Sequence, residues 1–291
     1  MTATPSTQSD RQTWRIIDLI NWATDFFQSH NIDNARHEVD WLLSDLLQIE
    51  RVALYVDFDR PLSKLELAAF KQLVIRRTNG EPFQHIIGKG PFFGRDFKVT
   101  PDVLIPRPET ELLIERLQMG SAPATILDIG TGSGCIAITA GLLFPDAQVS
   151  AFDISEKALE IAKENANLLG AGNVTFKELD FLNDLPSSDF DVVLCNPPYV
   201  SESELPELEP TVRDHEPTTA LTDHSDGLTF YRRLAQVGQK LLRPGGRLIV
   251  EIGGPQQVKA IRVLFASLGG KLSIHRDLQG DERVIEVRFT D

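Results

Sequence analysis

Ile126-Leu127-Asp128-Ile129-Gly130-Thr131-Gly132-Ser133-Gly134 reads as a strand that runs into a glycine-rich turn and then a helix. Glycine tolerates positive φ and lets the backbone approach a ligand, so this turn suits a nucleoside cofactor at the carboxyl end of a strand. A dinucleotide fingerprint would need glycine at position 135, where Cys135 stands. Outward from the turn, strands are predicted at 125–128, 148–153, 174–178, 191–196, 247–252, 271–275 and 284–289, with helices at 136–143, 156–169, 229–242 and 256–268. This alternation predicts an α/β fold: a mostly parallel seven-stranded sheet with helices on both faces. Only Gln279-Gly280-Asp281-Glu282 separates the last two strands, which leaves no room for a crossover helix. They are expected to form an antiparallel hairpin at the end of the sheet.

Upstream, apolar residues at helical spacing predict three helices. The first covers 10–29 (Ile16, Ile20, Ala23, Phe27) and the second starts near Asp33 or Asn34 (Val39, Leu42, Leu43, Leu46). The third opens on the capping box Ser63-Lys64-Leu65-Glu66 and stops at Asn79-Gly80. Residues 1–82 are therefore expected to be a small helical bundle that begins with a frayed tail at Met1–Pro5. Residues 83–103, with Gly88, Gly90, Pro91 and Gly94 among aromatic and β-branched residues, are expected to be a β-hairpin linker to a domain at 104–291.

Twenty-nine Lys and Arg against 42 Asp and Glu give a net charge of -13. That charge opposes phosphate backbones and anionic membranes, so neither stable nucleic-acid binding nor membrane attachment is expected. Cys135 and Cys195 both lie in apolar surroundings, which points to a reduced, cytoplasmic chain. Paired metal ligands are missing, so no metal is expected.

Asn196-Pro197-Pro198-Tyr199 follows the apolar run 190–195 and sits where a buried strand ends. The Asn side-chain oxygen and the Pro197 carbonyl are two acceptors side by side, matched to the two hydrogens of a planar NH2 group. Tyr199 could pack on that group. The bland alternative is a rigid strand-ending turn. Such a site needs no strong base, because the nitrogen turns acidic once a group has been transferred to it, and none of the six histidines falls inside these motifs. Asp153 ends the second strand, where a carboxylate can take both ribose hydroxyls; Ser155 serves as well for capping the next helix. Asp180-Phe181 follows the third strand, the usual place for contacts to an adenine. Arg107 could pair with Glu109 or Glu111, or line a substrate entrance. The acidic stretch 201–209 could be a solvated loop or a substrate cover. Cys195 reads as a small buried filler rather than a nucleophile.

The G-x-G-x-G turn with Asp128 before it resembles motif I of S-adenosylmethionine-dependent methyltransferases. Further segments extend the resemblance over essentially the whole chain: Ile105-Pro106-Arg107-Pro108-Glu109-Thr110-Glu111, Asn196 to Tyr199, Val212-Arg213-Asp214-His215-Glu216-Pro217 with Ala220-Leu221, and Asp281-Glu282-Arg283-Val284. Together they resemble the HemK/PrmC class of protein glutamine methyltransferases, which modify the glutamine of the Gly-Gly-Gln motif in peptide chain release factors. The resemblance implies a class I (Rossmann-like) methyltransferase domain and transfer from S-adenosyl-L-methionine, with S-adenosyl-L-homocysteine as product. The expected cofactor-binding residues are Asp128, Gly130, Thr131, Gly132, Ser133, Gly134, Asp153, Asp180, Phe181 and Asn196. Some members carry Trp where Phe181 stands, which makes the stacking area here smaller. Asn196, Pro197 and Tyr199 are the expected catalytic residues, and Pro198 and Arg107 join them in binding substrate. The helical bundle is implied to dock the release factor, and the chain to act as a monomer. Two rival readings are an adenine amino methyltransferase acting on DNA or RNA, and a non-catalytic cofactor-binding docking protein.

Overall fold

The computed structural model describes residues 13–186 and 189–290. The predicted frayed tail and the first residues of the predicted helix 10–29 lie outside them. The chain divides into two compact units, Met1–Ile87 and Gly88–Asp291. Among the described residues, no helix is long and apolar enough to cross a membrane.

The first unit holds α1 (Ile16–Ser29), α2 (Ala35–Leu47), α3 (Ala53–Val56), α4 (Lys64–Thr78) and α5 (Phe83–Ile87). Its core is the predicted stripe of Ile16, Ile20, Ala23 and Phe27 packed with Val39, Leu42, Leu43, Phe70 and Val74. The capping box forms as read: Glu66 N donates to Ser63 Oγ at 3.2 Å and Ser63 N to Glu66 Oε2 at 2.7 Å. Two elements were not foreseen. One is the single turn α3. The other is α5, where sequence placed part of a hairpin; Ile86 N donates to Pro82 O at 3.1 Å, and Gly88 at φ 71° ends the turn. Phe83, Ile86 and Ile87 form a run too short for its period to separate helix from strand.

The second unit opens with the predicted hairpin, β1 (Lys89–Phe92) and β2 (Arg95–Lys98). Phe93 at φ 49° and Gly94 at φ 73° make its tight turn, the left-handed pair such hairpins favour. Phe92 and Phe97 are buried in one cluster with Leu113 and Leu117 of α6 (Glu111–Gln118), so the hairpin packs as part of this unit. There follow β3 (Thr125–Ile129), α7 (Cys135–Leu143), β4 (Gln148–Asp153), α8 (Glu156–Leu169), β5 (Val174–Glu178) and β6 (Phe190–Cys195). The short helices α9 (Pro210–Arg213) and α10 (Thr218–Leu221) precede α11 (Thr229–Leu241), β7 (Leu242–Glu251), α12 (Pro255–Phe265), β8 (Lys271–Arg276) and β9 (Glu282–Arg288).

The seven strands lie in the order β5-β4-β3-β6-β7-β9-β8. The first five are parallel, and β9 runs antiparallel to both β7 and β8. The expected terminal hairpin is present, with its later strand on the inside. All six residues of β6 are buried. Burying Val193 and Leu194 contributes roughly 1.5–3 kcal/mol each, enough for the core to fix where this strand runs. Its register against β3 is pinned at the far end, where Asp191 Oδ2 accepts Ala124 N at 2.6 Å and Thr125 N at 2.9 Å. At the other end the Ile129↔Cys195 pair closes the ladder, so the glycine turn and Asn196 leave the sheet side by side. The strand order reverses beside β3, which is where open α/β sheets bind their ligands.

Candidate active site

The glycine turn takes the conformation its sequence permits, with φ of 75°, 54° and 83° at Gly130, Gly132 and Gly134. A Cβ at Gly130 or Gly132 would meet open space, apart from Asn196 O at 3.9 Å from the former; one at Gly134 would lie 2.7 Å from Ile138 Cδ1 and 3.1 Å from Ala162 Cβ. Gly134→Ala is therefore expected to destabilise the fold by roughly 2–3 kcal/mol, from the left-handed backbone and the overlap together. A shift of the urea midpoint would register it; an unchanged midpoint would contradict the packing argument. Asn165, buried on α8, braces the same turn. Its Nδ2 donates to Ser133 O at 2.8 Å and to Lys98 O at 3.0 Å, and its Oδ1 accepts Lys98 N at 2.7 Å. No motif in the sequence marked it.

A cleft of about 1030 Å³, counting its solvent-open mouth, lies over the turn. Gly130, Thr131, Gly132, Ser133, Asp153, Asp180, Phe181, Asn196 and Pro198 all line it. Asp153 holds the turn from the next strand, Oδ2 accepting Gly132 N at 2.8 Å and Oδ1 accepting Ser155 N at 2.9 Å. Burial raises its pKa, yet each oxygen keeps a lone pair for a further donor. Ser155 caps α8 itself, accepting Ala158 N at 3.2 Å. The Asp180 carboxylate folds back onto Leu182 N (3.0 Å) and Asn183 Nδ2 (2.7 Å). Phe181 is buried, with the Arg233 guanidinium 5.8 Å from its ring centroid. Asp128 does not line the cleft. It is fully buried behind the turn, where its Oδ2 accepts the Thr131 hydroxyl at 2.7 Å and burial pushes its pKa up to about 7.

The donor and acceptor set fits a nucleoside. Glycine backbone faces the cleft, Asp153 can accept from a diol, and Ile154, Phe181 and Leu182 supply apolar wall. Ile154 is 57% exposed at the lip, an apolar surface with nothing of its own chain covering it. Ser133 also lines the cleft, with its Oγ buried.

Asn196 also borders a second, smaller cleft of about 570 Å³, lined by Pro197, Tyr199, Leu208, Val212 and Leu221. Leu104, Arg107, Asn196 and Ala220 line both. Asn196 Nδ2 donates to Thr110 Oγ1 at 3.1 Å, which leaves Oδ1 as its free acceptor. Tyr199 is clamped along its length. Gln257 Nε2 donates to its carbonyl at 2.8 Å, Gly253 leaves room for its ring, where a Cβ would come within 2.8 Å, and its hydroxyl lies 3.5 Å from Glu251 Oε1. The partner of Arg107 is neither Glu109 nor Glu111 but the buried Glu216, which also accepts Ile105 N at 3.0 Å. Glu111 instead accepts Phe93 N at 2.7 Å. Within the acidic stretch, Glu202, Glu204, Glu207 and Glu209 are exposed, while Leu208 reaches the smaller cleft. Cys195 is fully buried, and burial holds its thiol well above the usual range, as suits a filler.

A glycine turn at the carboxyl edge of this sheet, opening on a cleft that ends at Asn196, defines a methyltransferase domain. Residues 121–264 match the family model described as a methyltransferase domain, and residues 18–88 match the PrmC N-terminal domain. A methyltransferase structure from Pyrococcus furiosus shares the fold, with a TM-score of 0.53 and 19% identity over 69% of this chain and 91% of that one. The release factor glutamine methyltransferase of Geobacter sulfurreducens is 44% identical over 89% of this chain and 90% of its own. That of Bacillus subtilis is 37% identical over 93% and 96%. The chain belongs to the release factor glutamine methyltransferase family.

Proposed function

We propose that this protein transfers the methyl group of S-adenosyl-L-methionine to the side-chain amide nitrogen of the glutamine in the Gly-Gly-Gln motif of a peptide chain release factor, leaving S-adenosyl-L-homocysteine. The observation that carries this reading is Asn196 on the wall common to two clefts, one with the glycine turn and Asp153, the other with Pro197 and Tyr199. When bound, S-adenosyl-L-methionine supplies an electrophilic methyl group on a sulfonium. Gly130 to Ser133, Asp153 and Phe181 would hold it. Gly134, also expected to touch the cofactor, does not line the cleft and instead packs the turn against Ile138 and Ala162, and Asp128 would act at one remove by fixing Thr131.

The protein's own task is to present a poor nucleophile, because an amide lone pair is delocalised into its carbonyl. Asn196 Oδ1 and the Pro197 carbonyl accept the two N–H bonds, which fixes the nitrogen in line and favours the state in which it gathers positive charge. The clamped Tyr199 ring offers a face to the planar amide. No side-chain base is required, since the N-methylated nitrogen is a strong acid and gives its proton to water. Arg107, held by Glu216, lines the passage between the clefts.

The helical bundle at 1–82 is assigned to release factor recognition, and the hairpin at 83–103 to the connection with the transferase domain at 104–291. The net charge of -13 supports a protein client over DNA or RNA. Two buried, free thiols support a reducing, cytoplasmic setting, and the chain is assigned to act as a monomer. The test is incubation with radiolabelled S-adenosylmethionine, a release factor and total nucleic acid. Label is expected on the release factor. Label on nucleic acid alone would favour the adenine reading, and no label with cofactor still bound would favour a docking protein.

A further inference from the structure

Glu251 is a buried carboxylate with no part in the steps above. It ends β7 one residue beyond the Cys195↔Val250 pair, which sets it beside Asn196, and it is 2% exposed. Tyr231 anchors its main chain, donating its hydroxyl to the Glu251 carbonyl at 2.9 Å. On the side chain, Oε1 faces the Tyr199 hydroxyl, and Oε2 is buried with no hydrogen-bond partner among the described residues. Burial pushes the carboxyl pKa up to about 7, and the Thr110 hydroxyl is near enough to draw it back down. Thr110 is itself buried, and its Oγ1 is the atom that accepts Asn196 Nδ2.

A hydroxyl has one proton to give. When the Thr110 proton points at the carboxylate, the Thr110 oxygen can only accept from Asn196. The amide must then turn its NH2 toward Thr110 and its oxygen toward the smaller cleft. The two ends of an amide have nearly the same shape, so partners rather than packing choose between them. An Asn196 amide rotated by half a turn would offer NH2 to the substrate's own NH2, two donors with no bond between them.

We propose that Glu251 and Thr110 are positioning residues that set the orientation of the Asn196 amide, Glu251 by taking the Thr110 proton, and that Glu251 also steadies the Tyr199 ring through its hydroxyl. The proposal rests on the transfer reaction assigned above. Glu251 lines neither cleft and acts through Thr110 and Tyr199, while Thr110, on the wall of the larger cleft, acts through Asn196.

The test compares Thr110→Val, Thr110→Ser, Glu251→Leu, Glu251→Gln and the double variant Thr110→Val with Glu251→Leu. Thr110→Val and Glu251→Leu should each lower kcat by roughly 30–100-fold, the scale of one misplaced polar group, with cofactor affinity held within about threefold. Thr110→Ser and Glu251→Gln keep the proton donor and an oxygen acceptor, and should stay within about fivefold of wild type. The double variant should fall well short of the product of the two single losses, because both changes act on one proton and only the Tyr199 contact of Glu251 adds to them. The second readout needs no cofactor: the Asn196 side-chain NH2 signal in a nitrogen-15 spectrum, identified by its loss in Asn196→Ala. It should move in Thr110→Val and Glu251→Leu and remain in place in Thr110→Ser. Full turnover in Thr110→Val, losses that multiply in the double variant, or an unmoved NH2 signal would each overturn the proposal. If the wild-type protein methylated no release factor, the assigned reaction would fall, and the NH2 signal would still decide the amide orientation.

Discussion

Replacing Asn196 by alanine is expected to lower turnover by roughly 10³-fold or more while folding and cofactor affinity stay near wild type. The side chain supplies one of the two acceptors that orient the substrate nitrogen, and removing it loses both alignment and charge stabilisation in the transition state. The structural cost is small by comparison. Truncation leaves Thr110 Oγ1 without its Asn196 donor, worth about 1 kcal/mol against a typical domain stability of 5–15 kcal/mol. The loss should therefore fall on kcat, with thermal midpoint and cofactor Kd little changed. Near-normal kcat in this variant would refute the two-acceptor account of the site.

Asp153→Ala should produce the opposite division. Its carboxylate accepts the backbone N–H groups of Gly132 and Ser155 and offers its remaining lone pairs to the cleft. Hydrogen bonds to a charged group contribute about 1.5–3 kcal/mol each, so losing those to a ribose diol, together with the brace on the turn, should raise the cofactor Kd roughly 10²-fold. At saturating cofactor, kcat should remain within about tenfold of wild type, since no interaction with the reacting nitrogen is lost. Calorimetric titration with S-adenosylhomocysteine would measure it. An unchanged Kd would mean that Asp153 only shapes the turn.

Much of the fold was legible because its signals are local. The glycine turn, the capping box at Ser63 and the seven apolar runs each declare themselves within a few residues, and the short link between the last two runs left only a hairpin. The clefts were legible to the extent that one strand end carries its own chemistry, as Asp153 and Asn196 do. Asp128 shows the limit. Two residues before the first glycine it reads as a ligand contact, yet it faces inward and reaches the cleft only through Thr131.

What could not be read were side chains whose meaning comes from a distant partner. Arg107 has acids two and four residues away, but its backbone enters a tight turn at Pro108–Thr110 and its partner is Glu216, 109 positions on. Thr110 is separated from Asn196 by 86 positions, and Glu251 from Tyr199 by 52. One signal was available for Glu251: a carboxylate closing the apolar run Leu248-Ile249-Val250, at the end of the sheet where ligands bind. The hydrogen-bonding needs of a buried carboxylate then make a polar neighbour obligatory.

The most direct measurement is tandem mass spectrometry of a release factor incubated with this protein and unlabelled S-adenosyl-L-methionine. The expected result is one added methyl group, located by fragmentation on the side-chain nitrogen of the Gly-Gly-Gln glutamine, absent without cofactor and absent with Asn196→Ala. A methyl group on any other residue, or an unmodified release factor under conditions where the protein binds cofactor, would contradict the account.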